Sequence, residues 1–161
     1  MRFVLFMVLG LFVAACSSTG DNAGGAAGSG TGSTSAAPGT QAHLEQETSN
    51  DRVFFGFDEY ALTPDARNQV QRWASWMLSN PNVNVLIEGH ADERGTRDYN
   101  LALGARRSHA VKVALESLGV SGNRIETTTF GKERPAVAGS NESAWAQNRR
   151  AVIVVKGGAS S

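Results

Sequence analysis

The order of apolar and polar positions divides the chain into an apolar start, a stretch with little to bury, and a patterned body. Behind Arg2, Phe3 to Ala15 is an uncharged apolar run of about 13 residues, shorter than the ~20 a membrane span needs. It has the length and the small-residue ending of a signal-peptide core. From Ser17 to about Thr40 the chain is built mostly of Gly, Ser, Ala and Thr, with one proline, Pro38. Without aromatic or large aliphatic side chains this stretch reads as a flexible tether. The residues between Cys16 and the first strand signal, 17 to 50, average as a coil roughly 30–35 Å from end to end, and pulled straight they reach on the order of 110 Å.

The body, from about Asp51 to Lys156, alternates strand and helix signals. Val53 to Phe57 is aromatic and β-branched, a strand. Thr63-Pro64-Asp65 starts a helix, with a capping hydroxyl, a proline in the first turn and an acid near the positive end. Ala66, Val70, Trp73, Met77 and Leu78 follow at helical spacing, and Asn80-Pro81 stops the helix. Val83 to Glu88 predicts a strand buried largely on both faces, followed by a polar loop from His90 to Asp98. A second helix from about Tyr99 to Leu118 carries Leu103, Ala110, Val111, Ala114 and Leu118, and Gly119 closes it. Arg124 to Phe130 is a third strand, Ser143 to Gln147 a short helix, and Ala151 to Val155 the last strand. The expected fold is an α/β (α+β) two-layer sandwich with a mixed four-stranded sheet and two main helices. Three Trp and most of the seven Phe are available for its core. Trp73 and Trp76 are expected to be packing residues. The expected division is residues 1–15 as leader, 16–50 as linker and 51–157 as the folded domain.

Charge narrows the function. Fifteen Lys and Arg balance fifteen Asp and Glu. That argues against a nucleic-acid binder, which shows a clustered basic excess, and against a purely electrostatic hold on anionic lipid. The single cysteine, Cys16, excludes an intrachain disulfide and is itself a candidate for modification.

Four places carry candidate chemistry. Phe57-Asp58 ends the first strand. Gly89 to Thr96 is a charged, glycine-punctuated loop leaving a buried strand, where ligand sites concentrate. Arg107 lies four residues from both Leu103 and Val111, so it points where a core residue is expected. A guanidinium there needs an acid or a ligand carboxylate. Asp92 is its natural partner, either as a permanent salt bridge pinning the loop or as half of a ligand site. Asn148-Arg149-Arg150 precedes the last strand and offers a further carboxylate contact. Enzymatic readings fare worse. Glu88, Asp92 and Glu93 could pose as an acid–base pair, and His90 with Asp92 as metal ligands. But there is no HExxH, and zinc needs three or four ligands. The chain is expected not to be an enzyme.

Val13-Ala14-Ala15-Cys16 resembles the lipobox of bacterial lipoprotein precursors. The resemblance implies cleavage before Cys16, acylation of that residue with three chains, and, with Ser17 following, an outer-membrane address. Several chains suffice for stable anchoring where one does not. Beyond these acyl groups no cofactor is expected.

Val53 to Asp58, Glu88 to Thr96, Tyr99-Asn100, Gly131 to Val137 and Asn148 to Val152 resemble the peptidoglycan-associated lipoproteins. The run Asn100-x-x-Leu103-Gly104-x-x-Arg107-Ser108-x-x-Val111 resembles the signature of the wider OmpA C-terminal-like domain family, with Ser108 where Ala is usual. The resemblance implies a periplasmic domain that binds peptidoglycan non-covalently at the free end of meso-diaminopimelate in the stem peptide. Asp92 then meets the ammonium and Arg107 forks onto the carboxylate. Phe57, Asp58, Thr96, Asn100, Leu103 and Arg149 complete the implied site. It also implies a partner, the periplasmic protein TolB of the Tol–Pal system, competing with the wall in a role in envelope integrity and cell division. Read without it, an adaptor whose main ligand is a protein, or a wall hydrolase, remains open.

Overall fold

The computed structural model describes residues 35–157. The leader, Cys16 and most of the glycine-rich tether lie outside the described residues. Within them the elements run α1 (Gln41–Thr48), β1 (Arg52–Phe54), α2 (Pro64–Ser79), β2 (Asn84–His90), α3 (Arg97–Ser117), β3 (Ile125–Gly131), α4 (Glu142–Asn148) and β4 (Arg150–Lys156). A single 3₁₀ turn, Gly122–Arg124, precedes β3.

The strands form one mixed sheet in the order β1-β4-β2-β3. β2 pairs in parallel with β3, and β4 runs antiparallel to both β1 and β2. α3 makes the crossover from β2 to β3. The helices cover one face of the sheet, giving the two-layer α/β sandwich that the element order implies. Val85, Ile87, Ala151 and Ile153 face the helices and are wholly buried. Leu86, Glu88, Val152 and Val154 point the other way and are only half buried. β2 is therefore not largely buried on both faces, because among the described residues no helix covers the second one.

The main helices form where their signals lie. Thr63 accepts a hydrogen bond from the Ala66 N–H at 3.2 Å, and Pro64 occupies the first turn of α2. Val70, Trp73 and Met77 bury completely along its inner stripe, whereas Leu78 is exposed. Thr96 caps α3 by accepting from the Tyr99 N–H. At its far end Gly119, at φ +94°, allows its N–H to reach the Glu116 carbonyl and the Val120 N–H to reach that of Leu115. This double closure leaves Val120 buried against the last turn. The buried stripe of α3 runs Leu103, Arg107, Val111, Leu115. The expected Leu118 is exposed, since the helix has ended before it.

Two further expectations change. The folded body begins earlier than residue 51, inside the stretch assigned to the linker: α1 buries Leu44 completely. Its Gln41 side chain donates to the Ile153 carbonyl and accepts from the Val155 N–H, extending the ladder along β4 where β1 has ended. The phenylalanines also distribute differently. Phe3, Phe6 and Phe12 lie outside the described residues, and of the other four only Phe55 is buried. The core is filled instead by Trp73 and Trp76, whose indole N–H groups donate to the Asn50 carbonyl and His43 Nδ1.

Candidate functional site

α3 reaches its place because two glycines let it approach the sheet. A Cβ on Gly89 would stand 1.9 Å from the Gly104 carbonyl oxygen, and one on Gly104 would stand 2.3 Å from Thr129 Oγ1. Backbone therefore lies on backbone, and Thr129 Oγ1 donates to the Leu101 carbonyl at 3.0 Å to hold the contact. One turn beyond Gly104, Arg107 points into the space under the loops that leave β1 and β2.

Arg107 is completely buried. Its Nε donates to the Glu59 carbonyl at 2.8 Å, Nη1 to that of His90 at 2.8 Å, and Nη2 to that of Gly56 at 3.1 Å. The expected Asp92–Arg107 salt bridge is not made. Burial pushes the guanidinium down to about 10, with Asp92 pulling the other way, so it stays cationic at neutral pH. A guanidinium has five N–H groups. With three on carbonyls, one hydrogen on each terminal nitrogen remains for an anion.

Asp92 is buried too, but its partners are different. Arg94, two residues along the same loop, forks onto it, with Nε 3.1 Å from Oδ1 and Nη2 2.6 Å from Oδ2. The Arg94 backbone N–H adds a bond of 3.0 Å to Oδ1, and Arg149 Nη1 stands 3.5 Å from Oδ2. Burial alone would raise this carboxyl; these donors outweigh it and hold it below the usual carboxylate range. The short reach from position 92 to 94 is why Arg94, and not Arg107, takes the acid.

A cavity of about 140 Å³ lies between the two groups, lined by Phe57, Asp58, Asp92, Arg94, Gly95, Tyr99, Asn100, Leu103 and Arg107. Six of the eight wall-binding residues named from the sequence are thus brought together. Asp58, in the left-handed region at φ 57°, accepts a hydrogen bond from the Tyr99 hydroxyl. Asn100 is buried and donates to the Arg94 carbonyl at 2.8 Å, fixing the loop. The other two expected residues do not line the cavity. Thr96 is the helix cap. Arg149 stands behind Asp92, with Nε on the Phe55 carbonyl and Nη2 2.6 Å from Glu142 Oε1.

Arg94, Gly95 and Tyr99 are lining residues the sequence reading did not name as site positions. All three fall inside the quoted motifs, but no periodicity singles them out in a loop. His90 is buried on the opposite face of the sheet, its ring stacked 5.5 Å from that of Phe130. Among the described residues no three His, Cys, Asp or Glu side chains gather to hold a metal.

Comparison with known proteins shows what the chain is similar to. The family model described as the OmpA family matches residues 54–149. A peptidoglycan-associated lipoprotein of Rhizobium meliloti strain 1021 is 46% identical over 158 residues, which is 98% of this chain and 89% of that protein. The crystal structure of the peptidoglycan-associated lipoprotein from Burkholderia pseudomallei superposes with a TM-score of 0.66 at 42% identity. That match covers 67% of this chain and 92% of that one. The C-terminal domain of Helicobacter pylori MotB shares the fold at 20% identity, with a TM-score of 0.62 over 68% of this chain and 87% of that one.

Proposed function

Because the chain belongs to the OmpA family, we propose that it is an outer-membrane lipoprotein whose periplasmic domain grips peptidoglycan non-covalently. The ligand is the free zwitterionic end of diaminopimelate in the stem peptide. One observation carries this reading: a small cavity with a buried anion, Asp92, on one wall and a buried cation, Arg107, on another, the two not paired with each other. A planar guanidinium with two N–H groups left suits a carboxylate, and a carboxylate suits an ammonium. The names of the curated relatives describe association with peptidoglycan and a lipid anchor rather than catalysis, in keeping with a binding protein and not an enzyme.

The rest of the reading rests on the resemblances to the lipoprotein precursors and to the peptidoglycan-associated lipoproteins. Residues 1–15 are a leader, and Cys16 carries the acyl groups that hold the protein in the membrane. The glycine-rich stretch lets the domain reach the wall. TolB, of the Tol–Pal system, is a second ligand that competes for the same face, which links the protein to envelope integrity and cell division.

The test is co-sedimentation with purified peptidoglycan sacculi, using residues 34–161, a span that contains the whole described body, 35–157. Starting here keeps α1, which belongs to the core. The wild type should pellet with the sacculi. Asp92→Asn and Arg107→Lys should each weaken binding by about 10- to 150-fold, the worth of a charge-assisted hydrogen bond of ~1.5–3 kcal/mol. A wild-type domain that stays in the supernatant would overturn the wall-binding reading and leave a protein partner as the main ligand. Equal binding by folded variants would keep the function and remove the site.

A further inference from the structure

The seat reserved for the ligand ammonium is already full. A carboxylate offers about four lone-pair positions, two on each oxygen. Asp92 Oδ1 accepts from the Arg94 N–H and Arg94 Nε, and Oδ2 from Arg94 Nη2 and Arg149 Nη1. An incoming ammonium finds no free acceptor on this acid until one donor withdraws.

The structure also says which donor can go. The backbone N–H belongs to the loop. Arg149 has its side chain 7% exposed and is tied at the same time to Phe55 and Glu142. The Arg94 side chain is 31% exposed, at the mouth of the cavity. It is held there by a clasp of two rings, with its guanidinium carbon 4.2 Å from the centroid of Phe57 and 4.0 Å from that of Trp145. Glu142 Oε2 stands 4.0 Å from Nη1. Trp145 is itself fixed by a 3.0 Å bond from its indole N–H to Glu93 Oε1.

We propose that Arg94 is a built-in competitor for the ligand ammonium, and that the Phe57–Trp145 clasp sets how strongly the site resists occupation. The proposal rests on the reading of Asp92 as the ammonium seat. A ligand enters only by displacing a cation of the protein's own loop. This favours a zwitterion that also holds Arg107 over a lone amine that must win the acid unaided. Glu142 and Trp145, both on α4, thereby control a site they do not line. A partner that drew Trp145 away would raise wall affinity without touching the cavity, and one that pressed it down would lower it.

The test measures binding of the soluble stem peptide L-Ala-γ-D-Glu-meso-diaminopimelate to residues 34–161 by calorimetry, alongside co-sedimentation with sacculi. Arg94→Gln should tighten binding. Two ring contacts and a partly exposed ion pair together are worth on the order of 5- to 30-fold. Trp145→Leu, which loosens the clasp but leaves the competitor, should tighten it by less. A merely structural role for either residue would weaken binding or leave it alone, so tightening is the diagnostic sign. Weaker or unchanged binding in Arg94→Gln would overturn the proposal, making Arg94 a ligand contact or a bystander. Failure of the wild type to bind sacculi and peptide would instead overturn the function on which the proposal stands.

Discussion

The two walls of the cavity are built on opposite plans. At one, Arg107 is buried, carried by a long helix and tied to three carbonyls, two from the loop after β1 and one from the end of β2. Those carbonyls belong to Gly56, Glu59 and His90, between 17 and 51 residues away in sequence. At the other, Asp92 lies in a loop and shares its oxygens with a donor two residues along and another carried by residue 149. The cation is part of the architecture. The anion is part of an exchangeable set of contacts. On the proposed reading, such a site keeps the fork for the ligand carboxylate rigid and places its adjustment at the ammonium end.

The most severe way to break the contrast is Arg107→Ala. It would leave three carbonyls without their donor and open a cavity beneath the loops. A loss of about 3–5 kcal/mol in unfolding free energy is expected, read as a lower urea midpoint, with binding lost as well. Asp92→Ala should cost much less stability, because Arg94 is partly exposed and water can take over its donors. Similar losses at the two positions would mean that both walls are structural and that the contrast fails.

Acid should separate the walls next. His90, whose carbonyl anchors Arg107, has a buried ring with neither nitrogen hydrogen-bonded, and Nε2 lies 3.5 Å from Glu88 Oε2. Burial and the nearby Arg150, Arg134 and Arg52 lower its pKa to about 4. In the unfolded chain an imidazole titrates near 6.5, so between these values the unfolded state binds more protons. Stability is therefore complete above about pH 6.5 and declines as the pH falls toward 4, by ~3 kcal/mol in all. Asp92, held below the ordinary carboxylate range, keeps its charge through most of that window. Urea midpoints at pH 7.5 and pH 5 should differ for the wild type and converge in His90→Phe, which keeps the stack on Phe130. A wild type equally stable at both would remove the acid sensitivity of the Arg107 wall.

How much of this is visible before folding follows the same division. The Arg107 wall was legible because it depends on helical period: an arginine spaced between Leu103 and Val111 can only point inward. The cap at Thr63 and the stop at Gly119 are equally local, and they form as expected, whereas the cap at Thr96 starts α3 two residues before the expected Tyr99. The Asp92 wall was less legible. Proximity suggested Arg107 as the partner of Asp92, but a loop lets position 94 turn back on position 92, and nothing periodic marks that turn. What Arg107 does hold, three carbonyls distant in sequence, has no pattern along the chain at all. α1 was read as linker because Leu44 is its one large aliphatic residue, and its place depends on α2 and the unpaired stretch of β4. The second face of β2 was expected to be covered because Leu86 is apolar, yet whether a helix lies over it is decided by topology.

Thr96 offers the smallest and most discriminating test of where the Asp92 wall ends. The family resemblance puts it in the wall-binding site, but its hydroxyl accepts from the Tyr99 N–H and caps α3, outside the cavity lining. Losing a cap of this kind costs ~1 kcal/mol. Thr96→Ala should therefore lower the urea midpoint slightly while leaving the affinity for sacculi unchanged in the folded protein, and Thr96→Ser should restore the midpoint. The first turn of α3 carries Tyr99, which bonds Asp58, and Asn100, which holds the Arg94 carbonyl. If the cap also set the loop, affinity would fall along with stability. A drop in affinity beyond the small stability loss would move the boundary of the adjustable wall one residue into the helix and make Thr96 a positioning residue for Asp92.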